Sequence, residues 1–86
     1  MPLSLPEAFG QAVRELRAER NVTQEEAALN GDIDRSFLGK VERAETNPTL
    51  GTVEKVAAAL DVRPSDLVVR AERVIERSRS ARGQTG

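Results

Sequence analysis

An 86-residue chain with no cysteine and no histidine excludes disulfide stapling, thiolate chemistry, the commonest metal ligand and the usual neutral-pH general base. Lysine and arginine number 13 against 14 aspartates and glutamates, a net charge of −1, so a nucleic-acid partner has to be met by a local basic face. One small domain is expected, burying about 60–65% of its unfolded surface and marginally stable unless a partner helps.

"MPLSLPEAFG" lacks the basic start and apolar run of a signal peptide, and no stretch reaches the roughly 20 apolar residues of a membrane span. A soluble cytoplasmic protein with no membrane partner is expected. No pair of carboxylates sits in an apolar setting, so the reading assigns no catalytic residue, enzyme activity, metal or cofactor. Charge is polarised along the chain: residues 1–33 hold three Arg against six acids, and residues 70–86 hold five Arg against two Glu.

Phe9, Val13 and Leu16, with Ala8 and Ala12, repeat at helical spacing and predict a first helix from about Pro6 to Arg20. Asn21 follows where a left-handed residue would end it. "TQEE" at 23–26 is a capping box: the Thr23 hydroxyl takes an orphan amide and Glu26 reaches back, with Val22 as staple. The second helix is short, because "NGD" at 30–32 favours a turn. Asp34 caps a third helix running to about Arg43, and "ETNPT" breaks it, since Pro48 drives Asn47 out of the helical region.

Thr49 caps a fourth helix, with Leu50, Val53, Val56, Ala57 and Leu60 predicted to face inward. Pro64 suits the first turn of a fifth. There Leu67, Val68, Ala71, Val74 and Ile75 form one stripe, and the segment 78–86 reads as a polar, basic, disordered tail. The prediction is an all-α, five-helix domain over residues 1–77.

Two short helices joined by a few turn residues are the layout of a helix-turn-helix, whose second helix enters the major groove of DNA. With Ile33, Leu38 and Val41 turned to the core, Arg35, Ser36, Gly39, Lys40 and Arg43 look outward. Arg35 can fork onto O6 and N7 of guanine, Ser36 can donate or accept, and Lys40 can reach a guanine or a phosphate. Gly39 removes bulk and lets the backbone come close. Phe37 lies at the margin, either packing inside or pressing on a thymine methyl. A solvated charged face is the plain alternative, but Ser36 and Gly39 weaken a helix, Gly by roughly 1 kcal/mol against Ala.

From "RELRAER" through "TQEE" and "RSFLGKVERA" to "NPTLGTVEKVAAAL", about 60 residues from Phe9 to Leu67, the chain resembles the Cro/repressor-type (Xre) helix-turn-helix family. "DRSFLGKVERAETNPTL" is most similar to the controller proteins of restriction–modification systems. The resemblance implies a compact lambda-repressor-like domain that binds double-stranded DNA as a homodimer on a pseudo-palindromic operator, regulating its own gene. It implies base contacts from Arg35, Ser36, Phe37, Gly39 and Lys40, and backbone contacts from Thr23, Gln24, Arg43, Thr46 and Asn47. The family commonly has leucine where this chain has Ala27, so either Leu29 replaces the missing bulk or the second helix packs less tightly. Glycine is usual in the turn at Asp32, a residue type that also enters the left-handed region.

A single recognition helix reads too few base pairs for specificity, which is why a dimer is expected. The stripe of Leu67, Val68, Ala71, Val74 and Ile75 is the candidate interface, with inward packing as the alternative. Arg70, Arg73 and Arg77 either flank that interface or approach DNA. A second reading from another class is an antitoxin whose basic tail folds on a protein toxin.

Overall fold

The computed structural model describes residues 2–84, and the side chains of residues 2–80. Five helices follow one another: α1 (Leu5–Glu19), α2 (Gln24–Asn30), α3 (Arg35–Glu42), α4 (Leu50–Ala59) and α5 (Pro64–Gln84). Four of them open where a short polar side chain can take an orphan amide. Ser4 and Glu7 form a capping box on α1, Thr23 and Glu26 form one on α2, Asp34 caps α3 and Thr49 caps α4. Hydrogen bonds from the cap amides hold the Glu7 and Glu26 carboxyls below their ordinary pKa.

The first four helices all end the same way. Asn21, Asp32, Ala44 and Asp61 take positive φ, and none of them is glycine. The next amide in each case closes back five residues, as Val22 to Arg17, Ile33 to Ala28, Glu45 to Lys40 and Val62 to Ala57. This is the Schellman ending, usually accompanied by an apolar residue just past the left-handed one. Val22, Ile33 and Val62 supply it and pack against the core. Glu45 does not; it is exposed.

The core is a single cluster whose largest fully buried side chains are Val13, Leu38, Val41, Val56, Leu60 and Leu67. Helix α5 lies along α1 and also covers α4, while α3 crosses α1. The α1–α3 crossing is tight. A Cβ added to Gly10 would sit 2.6 Å from the Glu42 carbonyl oxygen, so that residue has to be glycine for α3 to approach.

Four expectations are corrected. Leu67, Ala71 and Val74 are buried within the chain itself, because α5 needs that face to close the core over α1 and α4. Ile75 is half-buried against the same cluster, which leaves Val68, 42% exposed, as the stripe's outward member. The segment 78–84 continues α5 and is not a disordered tail, its backbone remaining helical to Gln84; Thr85 and Gly86 lie outside the described residues. Leu29 does not replace the bulk missing at Ala27: it is 82% exposed, and the small buried Ala27 and Ala28 form the inner face of α2. Leu50, at the first position of α4, is 88% exposed and does not join the core.

Arg70 and Arg77 also have a defined place. Arg70 donates to Glu15 and to both oxygens of Glu19, and Arg77 donates to Glu15, so the basic line on α5 is tied to acids of α1. Among the described residues, no helix is long and apolar enough to cross a membrane.

Candidate nucleic-acid interface

Helices α2 and α3 place their outward residues around one shallow concavity of about 410 Å³, lined by Gln24, Arg35, Ser36, Gly39, Lys40 and Arg43. Asp34 sets its geometry: its carboxylate accepts from the Phe37 amide at 3.1 Å and starts α3 one residue before Arg35. That puts Arg35 and Ser36 in the first turn, where a recognition helix meets base edges. Lys40 follows one turn later on the same side.

Under the concavity lies an ion pair that the sequence reading missed. Glu42 is 4% exposed, and its carboxylate accepts from Arg17 Nε at 2.7 Å and Nη2 at 2.8 Å. Arg17 also donates to the Val22 carbonyl at 3.2 Å. Gln24 Nε2 donates to the same carboxylate at 3.2 Å, so the amide at the start of α2 is held in place with its second N–H free of that bond. One buried carboxylate thereby fixes α1, α2 and α3 relative to one another. The signal was present in the periodicity: Arg17 extends the Val13/Leu16 stripe and Glu42 extends the Leu38/Val41 stripe, two opposite charges on inward faces.

Two acids flank the concavity. Arg35 Nη1 lies 3.4 Å from Glu25 Oε1, a loose exposed contact. Arg43 is bound more fully, through Nε to Glu45 Oε2 at 2.8 Å and Nη2 to Oε1 at 3.2 Å. These bonds pull the Glu45 carboxyl below its ordinary pKa and raise that of Arg43. The Arg43 guanidinium also covers Gly39, with Nη1 3.0 Å from where a Cβ would stand.

Of the residues expected to meet bases, the structure gathers Arg35, Ser36, Gly39 and Lys40; Phe37 is half-buried and packs against the core instead. Of those expected at the backbone, Gln24 and Arg43 line the concavity. Thr23 lies outside the concavity; its hydroxyl oxygen accepts from the Glu26 amide, and its O–H remains to donate. Thr46 is half-buried and outside the concavity, and Asn47 borders an apolar groove with Pro48, Leu50 and Val68. Among the described residues no cluster of acidic side chains could hold a metal ion.

The helix-turn-helix family profile matches residues 13–67, well over half of the chain. The control protein C.BamHI of Bacillus amyloliquefaciens is 39% identical over 61 residues, which is 70% of this chain and 75% of that protein. The crystal structure of the restriction-modification controller protein C.AhdI from Aeromonas hydrophila superposes with a TM-score of 0.69 at 42% identity, over 72% of this chain and 94% of the other. The clp gene regulator ClgR from Corynebacterium glutamicum shares the fold across 99% of this chain and 90% of its own, with a TM-score of 0.90 at 24% identity. The chain belongs to the helix-turn-helix family of Xre-type DNA-binding transcriptional regulators, and within it is similar to the restriction–modification controller proteins.

Proposed function

We propose that this chain is a homodimeric regulator that reads a pseudo-palindromic operator and controls its own gene within a restriction–modification system. The observation that carries the reading is the concavity itself: Arg35, Ser36 and Lys40 share one outward face with Gln24 and Arg43 at its edges. Arg35, Ser36 and Lys40 meet base edges. Gln24, Thr23 and Arg43 meet the phosphate backbone, Gln24 through the N–H that Glu42 leaves free, with Thr46 and Asn47 next along the backbone.

The dimer face in this reading is an apolar groove of about 230 Å³ lined by Leu5, Phe9, Pro48, Leu50, Val53 and Val68 among others. Leu5, Leu50, Val68 and Val69 are large apolar side chains left exposed. A second copy laid against this groove would cover Leu5, Leu50 and Val68 and pair two recognition helices, as an operator with half-sites about one helical turn apart requires. The control protein and controller-protein relatives support placement in a restriction–modification system. The antitoxin reading depended on a disordered tail that folds on its target, and the backbone of 78–84 is already helical.

Footprinting the region upstream of the chain's own start codon tests this. Two protected half-sites one helical turn apart, filled at two chains per site, are expected. Protection only at unrelated loci would overturn self-regulation, and filling of isolated half-sites by single chains would overturn the dimer.

A further inference from the structure

We propose that Glu45 is an internal stand-in for a DNA phosphate, holding the fork of Arg43 over the recognition helix until the backbone of a duplex takes it over. The inference rests on the DNA-binding reading above and adds a residue that sets the affinity of that face.

Three observations meet at Glu45. Its two oxygens occupy Nε and Nη2 of Arg43, at 2.8 and 3.2 Å, which is the edge a guanidinium offers to a phosphate in a two-point bond. The remaining nitrogen, Nη1, rests on Gly39, 3.0 Å from a hypothetical Cβ, so a residue with a side chain at 39 would push the guanidinium off its seat. Gly39 is buried although it lies on the outward side of α3 and lines the concavity. Finally, Glu45 breaks the pattern of the helix endings. Val22, Ile33 and Val62 hold the same place after α1, α2 and α4 and pack on the core, whereas Glu45 holds it with an exposed carboxylate.

The contact is suited to being exchanged. Both partners are about half exposed, with side-chain accessibilities of 56% and 51%, so the pair is weak and screened, and giving it up leaves no buried charge. Handing Arg43 to a phosphate gives up this pair and leaves a bare carboxylate on the face, which offsets part of the new contact. Glu45 therefore lowers the attraction of the face for any duplex, and a phosphate must outcompete it for Arg43. Phosphate contacts carry no sequence information, so the effect is felt on every sequence.

The test compares the native chain, Glu45→Gln, Arg43→Ala and the double variant, each titrated with a random-sequence duplex across a series of salt concentrations. Glu45→Gln should tighten binding about two- to fivefold per chain, the range of an exposed ion pair. The slope of log K against log salt should stay close to native, because Arg43 ends on a phosphate in both chains, and should become shallower by about 0.9 per chain in Arg43→Ala. In the Arg43→Ala background the gain from Glu45→Gln should vanish. Equal gains in the two backgrounds would make Glu45 only a general negative charge, and weaker binding by Glu45→Gln would make it a brace for Arg43; either overturns the inference while leaving DNA binding intact. If Arg43→Ala binds as tightly as the native chain, Arg43 meets no phosphate and the inference falls. Failure of the native chain to bind duplex at any salt would instead overturn the DNA-binding reading on which it rests.

Discussion

Arg17 and Glu42 meet in two hydrogen bonds of 2.7 and 2.8 Å beneath the recognition helix, and Gln24 adds a third at 3.2 Å. Removing one member of such a buried pair leaves the other charged and unpaired. Glu42→Ala is therefore expected to cost about 3–5 kcal/mol, a large share of the roughly 5–15 kcal/mol that holds a domain together. Urea titration followed by circular dichroism reads this directly. A loss below about 1 kcal/mol would mean that the pair does not join the three helices.

Two backbone positions predict opposite signs. Gly10→Ala places a Cβ 2.6 Å from the Glu42 carbonyl oxygen, and should cost about 1–3 kcal/mol through overpacking. Ala44 sits at φ 57, a conformation that penalises a Cβ by about 1–2 kcal/mol. Ala44→Gly should therefore stabilise the chain by about 0.5–1 kcal/mol, part of the relief being offset by the freer unfolded chain. Thermal melts of both variants check the pair, at about 4–8 °C per kcal/mol for a domain of this size.

Leu50 is 88% exposed, so replacing it with glutamate removes no core contact. Sedimentation equilibrium should show a dimer for the native chain and a monomer for Leu50→Glu, with an unchanged circular dichroism spectrum. A dimer that survives the substitution would move the interface away from the groove of Leu5, Leu50 and Val68.

Acid should weaken the α1–α5 packing. Burial pushes the Glu15 carboxyl up, but hydrogen bonds from Arg77, Gln11 and Arg70 leave it below its ordinary pKa, and Arg70 holds Glu19 low. Carboxyls with depressed folded pKa values bind fewer protons when folded, so their stabilisation is complete above the unfolded value of about 4.3 and fades as pH falls through the lower folded values. The melting temperature should be level from about pH 7 to 5.5 and fall below about 4.5. In Glu15→Gln it should start lower and fall less. An identical fall in both would assign the acid sensitivity elsewhere.

Much of the fold was legible because its boundaries are written in local chemistry. Thr23 with Glu26, Asp34, Thr49, Pro64 and Asn21 each act within four residues of their own position. The outward residues of α3 were legible for the same reason, since the inward placement of Leu38 and Val41 leaves the other side to Arg35, Ser36 and Lys40. What escaped depends on partners distant in sequence. Glu42 finds Arg17 25 residues away, and Arg77 finds Glu15 across 62. A stripe such as Leu67, Ala71 and Val74 looks alike whether it closes its own core or a partner's, and only the packing of α5 on α1 and α4 decides. Ala44 gave no composition signal, because alanine is no sign of a left-handed turn.

Selection of duplexes from a random pool, sequencing what the purified chain retains at near-physiological salt, tests the central claim most directly. A two-fold symmetric motif is predicted, with a guanine in each half-site whose preference flattens in Arg35→Ala, since loss of one base contact costs about 1–3 kcal/mol of discrimination at that position alone. Retention of DNA without any motif would contradict the account, leaving a face that attracts phosphates but does not read sequence.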